Sequence, residues 1–280
     1  MYDFERGAKA TGTKFYFNVG ETALKEWNLI NRMIEYHTKN GYTFVIPPYL
    51  VNRQTAEFAG ILPRFEGDYY KTQEDLILIP TAETPMVGLH ADEVFFEKNL
   101  PIKYVAFSPC FRKEAGANGQ RDKGLRRVHQ FHKVELFVIC TPEQSEELHQ
   151  KMIEEVCGLL NLFGVKYRTV ELTKEDRSPV SNKTVDVEVK CGEEWLEVSS
   201  ISNMGENQSK PAKIRYKPKN NGKNVKCHML NGSGVALPRL VLAMEENKKN
   251  ALEKAGWKFG NYDDFLNLTS DEKNEIESKE

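Results

Sequence analysis

Apolar positions recur along this chain with two periods, and the switches between them divide it into elements. Residues 21–40 repeat at helical spacing, with Ala23, Trp27, Ile30 and Ile34 on one face and Gly41 ending the run. Residues 42–46 then read as a strand stopped by Pro47 and Pro48. Ahead of them, residues 15–17 form a short aromatic strand and residues 1–12 a polar lead-in loop. Residues 68–79 predict two short strands around a Thr-Gln-Glu-Asp turn, followed by a helix from about Pro85. Residues 142–163 give a second amphipathic helix, with Leu148, Met152, Val156 and Leu159 or Leu160 on its core face. Strands follow at 165–172, 185–190 and 195–200, and an apolar helix at 240–244. Strands in the middle and helices at the flanks predict an α+β fold with a mostly antiparallel sheet.

The most informative stretch is 108–135, SPCFRKEAGANGQRDKGLRRVHQFHKVE. It reads as a long antiparallel hairpin with a glycine-rich, cationic loop containing Lys113, Arg121, Lys123, Arg126 and Arg127. Its base carries Arg112, Glu114, Phe131 and Glu135. A guanidinium grips phosphate oxygens through a two-pronged fork that a lysine lacks. A phenylalanine face suits a nucleobase, and a carboxylate can accept from an amine. A solvated hairpin would carry the same residues. Later, Asp186 and Glu188 share a strand face by alternation, as a metal pair or as a solvent-facing edge. Residues 209–226 are rich in Lys, Asn and Pro and read as a loop, either solvated or touching RNA phosphates.

Composition narrows the classes. A net charge of −2 leaves nucleic-acid contact to local patches. No apolar run is long enough for a membrane helix, and the first residues lack the apolar segment of a signal peptide. Five widely spaced cysteines without a CxxC argue against a disulfide framework or a cysteine-pair zinc site, which favours a cytoplasmic setting. Neither GxGxxG nor GxxxxGK[ST] is present, so the Rossmann and P-loop nucleotide folds are excluded. Residues 1–262 read as one folded core and 263–280 as an acidic tail, a frayed helix or disordered segment.

CFRKEAG, the basic loop and RVHQFHKVE together resemble motif 2 of class II aminoacyl-tRNA synthetases, in the form used by seryl-tRNA synthetases. FYFNVGETAL, HTKNGYTFVIPPYLVN, LPRFEGDYYKT, LILIPTAETP, LEVSSISN and HMLNGSGVALPRLVLAMEEN resemble further stretches of that family in the same order, so the likeness spans residues 4–247. It implies that serine and ATP, with Mg²⁺, give seryl-adenylate for transfer to tRNA(Ser), by a homodimer paired through the 21–48 helix–strand–proline unit. Arg112 would hold the α-phosphate and the serine carboxylate, and Arg239 the γ-phosphate. Phe131 would stack on adenine, Glu114 would accept from its amino group, and Arg127 would clamp the phosphate tail. Glu197 and Ser200 would hold the metal. Thr81 and Glu83 would face the serine ammonium, with Glu135, Asn231 and Ser233 around its hydroxyl. Without the resemblance, Thr81-Ala-Glu83 also suits a plain helix start, and the glycines before Arg239 a plain turn.

The chain departs from the family pattern at Met204, Lys210 and Pro211, which concerns one side of the pocket. Nothing ahead of Phe4 has the heptads of the tRNA-gripping coiled coil of that family. Three readings stay open: a core cut from a longer synthetase, a stand-alone ligase charging another acceptor such as a carrier protein, and a silent paralogue acting as a dimerising regulator.

Overall fold

In the computed structural model, residues 2–63, 67–114, 124–220 and 222–246 are described. The basic loop tip, with Arg121 and Lys123, and the acidic tail at 263–280 lie outside them. The chain begins with β1 (Tyr2–Asp3), α1 (Phe4–Ala10), β2 (Phe17–Asn18), α2 (Glu21–Lys39) and β3 (Thr43–Val45). It continues through β4 (Leu50–Val51), α3 (Arg53–Phe58), β5 (Ile77–Leu78), α4 (Glu83–Leu89) and β6 (Val94–Phe96). The long hairpin is β7 (Ile102–Phe111) and β8 (Gln130–Cys140), followed by α5 (Ser145–Leu162), β9 (Tyr167–Glu171), β10 (Lys183–Cys191) and β11 (Glu194–Gly205). β12 (Arg215–Lys217), β13 (Val225–Lys226), β14 (His228–Ala236) and α6 (Leu237–Glu246) complete it.

Seven strands form the main sheet in the order β3-β7-β8-β14-β11-β10-β9, all pairs antiparallel except β3 with β7. The two faces of β8 show how the sheet is used. Val134, Leu136, Val138 and Cys140 point into a core completed by Leu29, Ile30 and Met33 of α2, Met152, Val156, Leu159 and Leu160 of α5, and Leu240 of α6. On the opposite face, Phe137 and Ile139 enter a second core with Met86 and Val87 of α4. Phe131, Lys133 and Glu135 share that face by period-two alternation and are left for the site. No helix among the described residues is long and apolar enough to cross a membrane.

Several expectations are corrected. The expected lead-in loop at 1–12 is replaced over residues 2–10 by β1 and α1, held down because the buried Glu26 carboxylate accepts from Tyr2 Oη (3.2 Å), Asn18 Nδ2 (2.6 Å) and His132 Nδ1 (2.8 Å). The predicted α2 face is turned: Glu26, Leu29, Ile30, Met33 and His37 are buried, whereas Trp27 is half exposed. Residues 68–79 supply one short strand, not two. The 209–226 segment is not a loop throughout, since β12 pairs with β6 and β13, and Ser209, Ala212, Ile214 and Tyr216 are buried. β10 lies inside the sheet, so Asp186 and Glu188 are not on an edge. The glycines at 232 and 234 lie within β14, not in a turn before a helix. A Cβ on Gly232 would come within 3.0 Å of Ile201, and one on Gly234 within 3.1 Å of Val134. They serve close packing of the sheet, not approach of a ligand.

Candidate active site

All twelve expected site residues gather around one cleft on the α4 face of the sheet, opposite the face covered by α2, α5 and α6. A cavity of about 480 Å³ is lined by Thr81, Glu83, Arg112, Glu114, Arg127, Glu135, Glu197, Ser200, Asn231 and Ser233. A smaller adjoining recess, about 60 Å³, adds Phe131 and Arg239. The register explains the convergence. Ser233 pairs with Glu135 and Asn231 with Phe137, so β14 presents both side chains beside those of β8. Ser200 and Glu197 arrive from β11 next to β14.

The inner end of the cleft is lined by a connected cage of polar side chains. Lys133 Nζ donates to Thr81 Oγ1 at 2.8 Å and forms an ion pair with Glu135; all three residues are buried. Thr81 Oγ1 also accepts from Glu83 N (3.2 Å), which fixes the first turn of α4. Glu83 Oε1 accepts from Gln208 Nε2 at 2.6 Å and Asn231 Nδ2 at 2.9 Å. Burial, reinforced by the Glu135 charge, pushes the Glu83 carboxyl up to about 7 against the pull of Gln208, Lys133 and Arg112. Two of these residues, Lys133 and Gln208, were missed in the sequence. Lys133 could have been found two positions before Glu135 on the same strand face. Gln208 lies inside the divergent 204–211 segment and carried no signal of its own. It is fully buried, reaches Ala59 O at 3.2 Å as well, and leaves its own Oε1 without a partner. Met204, by contrast, packs into the second core while lining the cleft.

The outer end is richer in cations and more exposed. Arg112 follows β7 directly; its backbone N–H donates to His129 O (2.9 Å) and its Nε to Pro80 O (3.3 Å). These bonds lay its guanidinium over the Phe131 ring, 5.1 Å from the centroid. Arg127 forms an ion pair with Glu114. Arg239, in the first turn of α6, donates from Nη1 to Glu197 O at 2.9 Å and sits 3.4 Å from Glu197 Oε2. Lys113, expected among the basic loop residues, stands 6.0 Å over the Tyr70 ring.

Beside Glu197, Asp186 is the cross-strand partner of Ser200. Burial pushes the Asp186 carboxyl up to about 6, with Glu197 and Glu188 adding to the rise, and its Oδ1 is buried without a hydrogen-bond partner. Among the described residues no group of three or more His, Cys, Asp or Glu side chains is placed to hold a metal. The oxygen donors Glu197 and Ser200, with an unsatisfied carboxylate behind them, fit Mg²⁺ in its usual mode, in which few protein ligands combine with substrate oxygens and waters.

Residues 64–248 match the class II tRNA synthetase core domain (G, H, P, S and T). The serine–tRNA ligase of Myxococcus xanthus is 44% identical over 256 residues, covering 88% of this chain and 59% of that protein. That of a Sulfurihydrogenibium species is 47% identical over 251 residues, covering 88% and 60%. The chain thus spans about three fifths of the length of these relatives. The seryl-tRNA synthetase of Pyrococcus horikoshii complexed with ATP superposes with a TM-score of 0.86 at 38% identity, covering 92% of this chain and 60% of that one. The Naegleria fowleri cytoplasmic serine–tRNA ligase in complex with AMP gives 0.83 at 29% identity, covering 93% and 65%. Sheet order, cleft and sequence agree, and the chain belongs to the class II tRNA synthetase core domain family.

Proposed function

We propose that this chain activates serine with ATP to form seryl-adenylate, and that within a full-length synthetase the seryl group passes to tRNA(Ser). The observation that carries this reading is the inner cage. Thr81, Glu83, Glu135 and Asn231 line a space suited to a small amino acid with several polar groups, and Gln208 holds Glu83 from behind. Its relatives are serine–tRNA ligases, and its structural neighbours were solved with ATP and AMP.

In the reaction a serine carboxylate oxygen attacks the α-phosphorus as the bond to pyrophosphate breaks. The carboxylate is already a nucleophile, so the protein contributes position and charge stabilisation. Arg112 lies between the two ends of the cleft and bridges the serine carboxylate and the α-phosphate, where negative charge accumulates. Phe131 takes the adenine face, Glu114 accepts from its amino group, and Arg127 and Arg239 neutralise the β- and γ-phosphates. Glu197 and Ser200 would hold Mg²⁺, which supplies further neutralisation of the triphosphate. Glu83 takes the ammonium, while Glu135 with Asn231 and Ser233 pairs the hydroxyl. A ligand lacking that hydroxyl leaves buried polar groups unpaired, which a site discriminates strongly.

The test is amino-acid-dependent exchange of pyrophosphate into ATP, with serine compared against alanine, glycine and threonine. Exchange led by serine supports the reading; equal exchange with alanine ends the serine assignment. An intact set of ATP-facing arginines disfavours a silent paralogue. For assembly we propose a homodimer, because Leu24, Trp27, Phe44 and Ile46 are exposed on α2 and at the edge strand β3. Light scattering that returns a monomer at micromolar concentration would refute it.

A further inference from the structure

Arg126 belongs to the basic run of the hairpin, where the sequence offers it as one cation of a glycine-rich loop. The structure turns it elsewhere. It ends a short 3₁₀ turn, Gly124–Arg126, and its guanidinium forms an ion pair with Glu194, the first residue of β11. The same residue is engaged a second time through its backbone: Arg126 O accepts from Arg239 Nε at 3.3 Å. Arg239 is therefore gripped by two main-chain carbonyls, Arg126 O on Nε and Glu197 O on Nη1. A planar guanidinium fixed at two nitrogens has one orientation, and that orientation decides where its remaining N–H groups point.

The two carbonyls differ in how they are held. Glu197 O belongs to a strand inside the main sheet. Arg126 O lies on a three-residue turn opened by Gly124 at φ 64°, a conformation glycine adopts without cost. Such a turn needs an anchor, and the ion pair to the β10–β11 hairpin supplies one across 68 residues of sequence. The helix carrying Arg239 packs on this same turn.

We propose that Glu194 and Arg126 form a positioning clamp: they tether the Gly124–Arg126 turn so that its carbonyl orients Arg239 toward the terminal phosphate of ATP. Neither touches the nucleotide; both act through Arg239. The inference rests on the reading that Arg239 meets the γ-phosphate, and the test separates the two.

The experiment is calorimetric titration of the chain with ATP, ADP and AMP. Wild type binds ATP more tightly than ADP, the difference reporting the γ-phosphate contact. Arg239→Ala removes that difference. Arg126→Ala and Glu194→Ala each weaken ATP binding about threefold to fivefold, the span of a half-exposed ion pair, and leave ADP and AMP affinities unchanged. The exchanged pair, Arg126→Glu with Glu194→Arg, restores ATP affinity to within about twofold, as a tether of reversed polarity should. Unchanged AMP binding shows that each variant is folded. If the pair variants keep the wild-type ATP-to-ADP ratio while Arg239→Ala loses it, the clamp is refuted and the γ-phosphate reading stands. If the exchanged pair fails to recover, Arg126 acts on the nucleotide directly and the clamp is again refuted. If Arg239→Ala keeps the ratio, both fall together.

Discussion

At the inner end of the cleft Thr81, Lys133 and Glu135 are 8%, 5% and 2% exposed, whereas at the outer end Arg127 and Glu197 stand 43% and 46% exposed. Both ends pair cations with carboxylates, yet the same pairing has different consequences. Inside, each charged group is desolvated, so a missing partner leaves an uncompensated charge that water cannot reach. That makes the inner end selective. Outside, the arginines rest on Glu114 and Glu197 in partial contact with water, where an ion pair contributes little and exchanges readily. Under the proposed function, that end releases its carboxylates and accepts phosphates in each turnover. On the same proposal, selectivity sits where burial is deepest and nucleotide exchange where it is partial.

Arg112 stands at the boundary, and its loss should break both ends at once. Arg112→Ala is expected to lower pyrophosphate exchange by about 10²–10³-fold, because a preorganised donor at the reacting phosphate is removed. Arg112→Lys should recover little, since an ammonium cannot span carboxylate and phosphate with a fork. Recovery close to wild type would show that charge alone suffices.

Glu83 sharpens the comparison through pH. Its carboxyl titrates near 7, above the ordinary range, so the charged form that meets the ammonium is lost as pH falls through 7. The kcat/KM for serine should therefore drop about tenfold per pH unit below 7. Glu83→Gln should reduce it about 10²-fold and flatten the profile. Stability should move the other way. A raised carboxyl favours the folded state at low pH and loses that advantage as pH rises from the ordinary carboxylate range to 7. Glu83→Gln should therefore stabilise the free protein by about 1–2 kcal/mol at pH 8, with the gain fading toward pH 4.5. Thermal unfolding at the two pH values checks this.

Gln208→Ala removes one donor to Glu83 and leaves the nucleotide end untouched. KM for serine should rise about tenfold, and KM for ATP should not change. A parallel rise in both would mean that the two ends are mechanically coupled. The smallest effect concerns salt. Raising ionic strength from low to physiological should increase KM for ATP severalfold and alter KM for serine by less than about twofold, because screening acts on exposed charges and spares buried ones.

The hairpin β7–β8 and the helices α2 and α5 were legible because a period of two or 3.6 is written directly in the order of residues. Phe131 and Glu135 fall into place with them, since alternation along β8 settles which face each side chain joins, and Arg112 and Glu114 follow directly on β7. Trp27 is exposed because α2 carries apolar residues on two faces, and periodicity cannot say which face meets the chain's own core. The 209–226 segment reads as loop because strands of two or three residues among lysines, such as β12 and β13, leave almost no periodic trace.

What sequence alone determined was therefore local and periodic: the major helices, the long hairpin and the set of chemistry-bearing residues along it. What only the tertiary structure decided was contact between residues far apart in the chain. Gln208 reaches Glu83 across 125 positions, Lys133 reaches Thr81 across 52, and Arg126 meets Glu194 across 68. Such pairs depend on strand register and on which helix covers which face. Both are selected by burial of the whole core, and no window of neighbouring residues contains that information.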